Sequence, residues 1–86
     1  MPIVSEFNGI EICFYFDDHL PPHFHAKYSG SEALIDIDNS CVLKGHLPSN
    51  KLKLVLAWSE IHKEELLSNW EKTKTNQQPQ KIIPLK

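Results

Sequence analysis

Apolar residues recur at every second position through much of the first half of the chain and at every third or fourth from Ser49 onward. No single regular element satisfies both periods, so the first half must pair as strands and the second must coil. Asn8-Gly9, between PIVSEF and IEICFYF, is a strong hairpin signal because a two-residue turn of this kind needs positive φ at both positions. Strands near 3–7 and 10–16 should therefore pair. Pro21-Pro22 interrupts the ladder, His23 to Tyr28 resumes the alternation, and Ser29-Gly30 turns. Glu32 to Asp38 alternates again, Asp38-Asn39-Ser40 turns, and Cys41 to Leu43 adds a last short strand. The expectation is an antiparallel β-meander of four to five strands within residues 1–45.

Ser49, just after Pro48, reads as a helix N-cap, and Leu52, Val55, Leu56, Leu66, Leu67 and Trp70 fall on one helical stripe. This predicts one long C-terminal helix over about 49–74, laid on the sheet and ended by TNQQPQ. The tail, 75–86, carries the apolar segment KIIPLK, which is suited to a short C-terminal edge strand. The fold class is thus α+β. Residues 1–86 form a single domain, because a chain of this length has surface enough to bury for one core only.

A second apolar line on the predicted helix, Leu54, Trp58 and Ile61, lies opposite Leu52 and Leu56. One helix cannot bury both sides against one sheet. Two covers fit: Ile82 and Ile83 of the chain's own tail, or a partner surface, either a second protein or a homodimer mate, anchored by Trp58.

A net charge of −2 gives no general attraction to phosphate backbones, and all nine basic residues are lysines. Without arginine there is no planar fork to read guanine, which argues against sequence-specific DNA recognition. A groove for RNA would have to be built from Lys27, Lys44, Lys51, Lys53 and the tail lysines. Cys13 and Cys41 form no CxxC pair, and the N-terminus has neither a basic nor a long apolar leader region, so the expected location is cytoplasmic with reduced thiols. The apolar run Leu54 to Trp58 is far too short to cross a bilayer.

The stretch FYFDDHLPPHFHAKY, 14–28, holds three of the five histidines, two aspartates and the double proline. On a strand, His23, His25 and Lys27 project to one face and Phe24, Ala26 and Tyr28 to the other. The apolar set must meet the helix, so both imidazoles are expected on the solvent face, beside Glu11, Cys13, Tyr15, Glu32, Leu34 and Asp36 of neighbouring strands. Ile12, Phe14 and Phe16 are expected inward.

Three chemistries fit that face. Two histidines at alternate strand positions can offer nitrogens to one transition metal such as zinc, with Asp17, Asp18 or His19 completing the set. The leading metal set is His23, His25 and Asp18. Alternatively, His23 and His25 move protons at a phosphodiester, Lys27 stabilises developing charge, and Asp17 or His19 orients them. The third reading is structural: polar residues on a polar face, solvated or bonded to acidic neighbours, with the prolines shaping the loop. No cofactor need be assumed under the last two. A nucleophilic Cys13 has little in its favour, since no acidic orienter is set by spacing and a lone thiol on a strand is usually packing. His46 and His62 are isolated.

The run FDDHLPPHFHAKY at 16–28, ALIDID at 33–38, GHLP at 45–48 and LVLAWSEIHKEELLSNW at 54–70 together resemble the small bacterial family catalogued as domain of unknown function 4160. The similarity spans nearly the whole chain. Ser29-Gly30 stands where the family is expected to carry a Gly-Gly-like turn, a departure that affects turn type more than chemistry. The resemblance implies a gene encoded beside a small protein of unknown-function family 2442, in pairs proposed as toxin-antitoxin modules. This chain would then be the toxin-like member, acting on RNA through the histidine face, with an antitoxin-like partner docking on Leu54, Trp58 and Ile61. The rival reading is a non-catalytic protein-binding or regulatory module, with or without a histidine-bound metal ion.

Overall fold

The computed structural model describes residues 2–85. Five strands come first: β1 (Ile3–Phe7), β2 (Ile10–Cys13), β3 (His23–Tyr28), β4 (Ser31–Asp36) and β5 (Cys41–Gly45). Two helices follow, α1 (Ser49–Ile61) and α2 (Lys63–Lys74). The strands pair antiparallel in the order β1-β2-β3-β4-β5, so the meander and the α+β class stand as the residue pattern predicts. Asn8 and Gly9 turn the first hairpin at φ 52° and 80°, the left-handed values that this pair supplies at low cost.

The core is a single cluster. Phe24, Ala26, Ile35, Ile10 and Ile12 of the sheet and Ile37 just after β4 are fully buried, and α1 and α2 contribute Val55, Trp58, Leu66 and Trp70. Phe7 and Phe24 meet Trp58 with ring centroids 5.4 and 5.9 Å apart, which places this indole at the centre of the core.

Four expectations need correction. First, the expected long helix is broken at His62, whose φ of −109° and ψ of 26° are not helical. Neither Gly nor Pro causes this. Instead HKEE opens a second helix: Glu64 and Glu65 lie in the first turn of α2, where the helix dipole favours acidic groups, and Glu65 Oε1 lies 2.5 Å from His62 Nδ1. The expected single stripe becomes two shorter ones, Val55, Trp58 and Ser59 on α1 and Leu66, Asn69, Trp70 and Thr73 on α2.

Second, Ser49 is the first helical residue rather than the cap. The Pro48 carbonyl closes the first turn by accepting from the amides of Lys51 and Leu52, both at 2.9 Å. Third, β2 stops at Cys13, and Asp17 turns the chain at φ 57°. Phe14 stays buried, but Phe16, expected inward, is exposed.

Fourth, the described residues of the tail make no edge strand. Among them only one ladder-like bond reaches the sheet, from the Ile82 amide to the Val4 carbonyl at 2.8 Å, and prolines at 79 and 84 remove donors around it. It is fastened instead by side chains: Asn69 exchanges two bonds with the Gln80 backbone, and Trp58 Nε1 donates to the Ile83 carbonyl at 2.9 Å. With Trp58 fully buried and Leu54 half-buried, only Ile61 of the line Leu54, Trp58 and Ile61 is exposed.

Candidate functional site

The pairing register explains why one face of β3 gathers titratable groups. His25 stands between Cys13 on β2 and Leu34 on β4, Lys27 stands between Glu11 and Glu32, and His23 opposes Asp36. The grouping is the one expected from alternation, but its exposure is not. His23 and His25 are only 5% and 7% accessible, and Cys13 and Asp36 are buried too.

The cover comes from outside the sheet. The segment joining β2 to β3 folds back so that the Tyr15 ring meets His25 edge-on at 4.2 Å. Trp70 of α2 lies 5.2 Å from the His23 ring. The segment is tied to the end of α2 by the Asp17 amide, which donates to the Thr73 carbonyl at 3.4 Å, and by Lys74 Nζ, which donates to the Asp18 carbonyl at 3.2 Å. None of these ties is visible in strand periodicity.

Asp18 is the centre of the arrangement. One oxygen, Oδ2, lies 3.0 Å from His23 Nε2 and 3.0 Å from His25 Nε2. The other, Oδ1, accepts from the His19 amide at 2.9 Å. Each histidine is also held at its other nitrogen: His23 Nδ1 lies 2.8 Å from the Pro21 carbonyl and His25 Nδ1 lies 2.8 Å from Glu32 Oε2. All four ring nitrogens therefore face oxygen.

This fixes protons by elementary valence. A carbonyl oxygen only accepts, so His23 Nδ1 carries its hydrogen, and a neutral His23 would then aim the Nε2 lone pair at a carboxylate. His25 faces carboxylates on both sides. Each Nε2 thus requires a positive centre between itself and Asp18 Oδ2, either a proton or a shared cation. Burial opposes ionisation of Asp18, but the His25 contact, the His19 amide and the charge of the two imidazoles outweigh it and hold the carboxyl below its ordinary value.

The remaining candidates fall elsewhere. Asp17 is exposed in a left-handed turn, and the His19 residue is exposed and touches the group through its backbone. Lys27 Nζ lies 5.4 Å over the Tyr15 ring, and a hydrogen bond to Tyr15 raises its pKa against slight desolvation. Cys13 is a neutral packing thiol, since burial pushes it up to about 11. His62 pairs with Glu65 and stacks near Trp58 at 5.3 Å, remote in sequence and role from the cluster. Asp36, expected on the open face, turns its carboxylate onto the Asp38 and Asn39 amides of the β4-β5 turn. Glu32 is the contact that periodicity leaves without a role: alternation puts it on the right face, but only the fold shows its oxygen on His25.

Asp18, His23 and His25 each offer one atom within a group whose members all lie within 4.8 Å of one another. Fold and site together define a small α+β domain with two buried histidines held by partly exposed carboxylates at the joint between sheet and second helix. The chain belongs to the family described as Domain of unknown function (DUF4160), whose family model matches residues 9–71. The match takes in β2 to β5, both helices up to Glu71 and the whole cluster. No curated protein and no solved structure matches the chain. Among the described residues, no helix is long and apolar enough to cross a membrane.

Proposed function

We propose that the chain is a transition-metal-binding module whose ion is held by Asp18 Oδ2, His23 Nε2 and His25 Nε2. The observation that carries this reading is the convergence of both Nε2 atoms on one carboxylate oxygen while both Nδ1 atoms are engaged behind them. Metal-binding histidines commonly donate their second N–H to a carbonyl or carboxylate, which fixes the tautomer and aims the free lone pair at the ion. With bonds of about 2.0–2.2 Å, neighbouring ligands stand about 3.0 Å apart around an octahedral ion and about 3.4 Å around a tetrahedral one. The two 3.0 Å separations at Asp18 need little adjustment to admit either.

Charge accounts agree with this. A divalent ion shared by Asp18 Oδ2 and the two Nε2 atoms would supply the positive centre that both of those contacts require. The donor set, two imidazoles and a carboxylate, suits zinc, iron, manganese or cobalt better than calcium or magnesium. Three protein ligands leave coordination positions for water or a small oxygen ligand, the pattern of a reactive or exchangeable ion rather than a closed structural one.

The second reading is the toxin-like RNA-cleaving member of a two-protein pair, with His23 and His25 in proton transfer and Lys27 and Tyr15 beside them. The adjacency of Tyr15 to both His25 and Lys27 favours it. Against it, a phosphodiester would have to displace Asp18 or Glu32 to reach any ring nitrogen. An antitoxin-like partner or a second copy of the chain would find Ile61 exposed but not Trp58.

The deciding test is metal content of protein purified without chelator, followed by titration of the stripped protein with Zn²⁺, Co²⁺, Mn²⁺ and Fe²⁺. One ion per chain is expected for the native protein and none for His23→Ala/His25→Ala. Asp18→Asn, which keeps the side-chain volume, guards against simple unfolding. A folded native chain that takes up none of the four ions ends this reading, and growth arrest on its induction would then favour the second.

A further inference from the structure

We propose that Glu32 is the positioning residue of the metal centre, a carboxylate on β4 that aims His25 and sets how tightly the ion is held; this rests on Asp18, His23 and His25 being its ligands. The two histidines are backed differently. His23 Nδ1 donates to a backbone carbonyl two residues away, that of Pro21, a neutral group of the same segment. His25 Nδ1 meets Glu32 Oε2 at 2.8 Å, a charged group seven residues away on the next strand. A carboxylate behind an imidazole strengthens the ring as an electron donor, where a neutral carbonyl mainly orients it.

The register makes this contact geometrically natural. Glu32 pairs directly with Lys27, and His25 pairs with Leu34, so His25 and Glu32 are diagonal neighbours on one face. The backbone under Glu32 is fixed as well. Its carbonyl accepts from the His46 amide at 3.1 Å, and a Cβ on Gly45 would stand 2.2 Å from that oxygen, so β5 closes tightly over it. The carboxylate spans the distance between the buried ring and a cleft of about 340 Å³ that Glu11, Lys27 and Tyr28 also line. With its side chain 40% accessible, Glu32 can be changed without opening the core.

Its position in that cleft supplies a control. Glu11 flanks Lys27 from the other strand and carries the same charge, but no contact between it and either histidine ring is seen. Removing either acid alters the local charge equally, and only one removal takes the support from His25.

The test is competitive titration of the full chain with Zn²⁺ against a chromophoric chelator, and with Co²⁺ by visible absorption. Native protein, Glu32→Gln and Glu11→Gln are compared, and the melting temperature of each stripped protein is recorded. The expected result is one ion per chain in all three, affinity weakened about 10- to 100-fold in Glu32→Gln alone, and an altered Co²⁺ spectrum in that variant. The stripped proteins should melt together. Equal affinity of Glu32→Gln and native protein overturns the proposal while leaving the metal centre standing, and so does an equal loss in Glu11→Gln, which would reduce the effect to charge at a distance. A native chain that binds neither ion removes the centre and the proposal with it.

Discussion

The two faces of β3 are both buried, and they are held by opposite physics. On one, Phe24 packs edge-on to Trp58 and obliquely against Phe14 in a core of aliphatic and aromatic groups. On the other, His23 and His25 lie under Asp18, Tyr15 and Trp70, and the two imidazoles depend on oxygens. An apolar face is held by dispersion contacts that are many and individually weak, so its stability is a sum over the whole packed cluster. A buried polar face has few contacts, and removing one partner leaves the other desolvated and unmatched. Chemistry is therefore concentrated on the face that the chain has to cover deliberately.

The largest effect expected is chemical, and it tests whether the histidine face is covered. Cys13 is the cross-strand neighbour of His25, and a thiol whose pKa is about 11 is ionised to only about one part in a thousand at pH 8. Iodoacetamide at that pH should modify the exposed Cys41 fully and leave Cys13 intact until the protein unfolds, as read by mass spectrometry of tryptic peptides. Prompt reaction at Cys13 would show that water reaches the histidine face freely and that the comparison is wrong.

Next in size is stability. Phe24→Ala should cost about 3–5 kcal/mol, a large share of what a domain of this size possesses, and shift the urea midpoint accordingly. Asp18→Ala, measured without metal, should cost about 1–3 kcal/mol, because a partly exposed carboxylate is lost and two buried imidazole nitrogens lose their oxygen partner. Saturating Zn²⁺ should widen the gap, adding about 2.7 kcal/mol to the native chain at a hundredfold excess over Kd and nothing to Asp18→Ala. If Asp18→Ala proves the more damaging in stripped protein, the polar face is the structural one and its reading as a binding site weakens.

The smallest effect is at the cover. Lys74 Nζ lies 5.7 Å over Trp70 and donates to the Asp18 carbonyl, so Lys74→Ala should cost no more than about 1 kcal/mol. It should nevertheless speed hydrogen exchange at the Asp17 and His19 amides, which separates holding the segment from holding the fold.

Alternation in the first half and the turn pairs Asn8-Gly9 and Ser29-Gly30 determined the meander, its strand order and which residues share a face with His25, because period two leaves no freedom in which side a residue takes. The same alternation placed Asp18 near His23 and His25 only as one of several loop candidates. Tertiary structure decided the rest. The break at His62 starts a second helix with Glu64 and Glu65 in its first turn, and Trp70 of that helix lies against the His23 ring. The burial of both imidazoles and the preference for Asp18 over Asp17 and His19 come from a segment folded back over the sheet, and the reach of Glu32 comes from the pairing of β3 with β4. Periodicity states which side of a strand a residue faces. Whether that side meets water depends on which distant part of the chain lies over it, and pairwise spacing along a sequence carries no record of that.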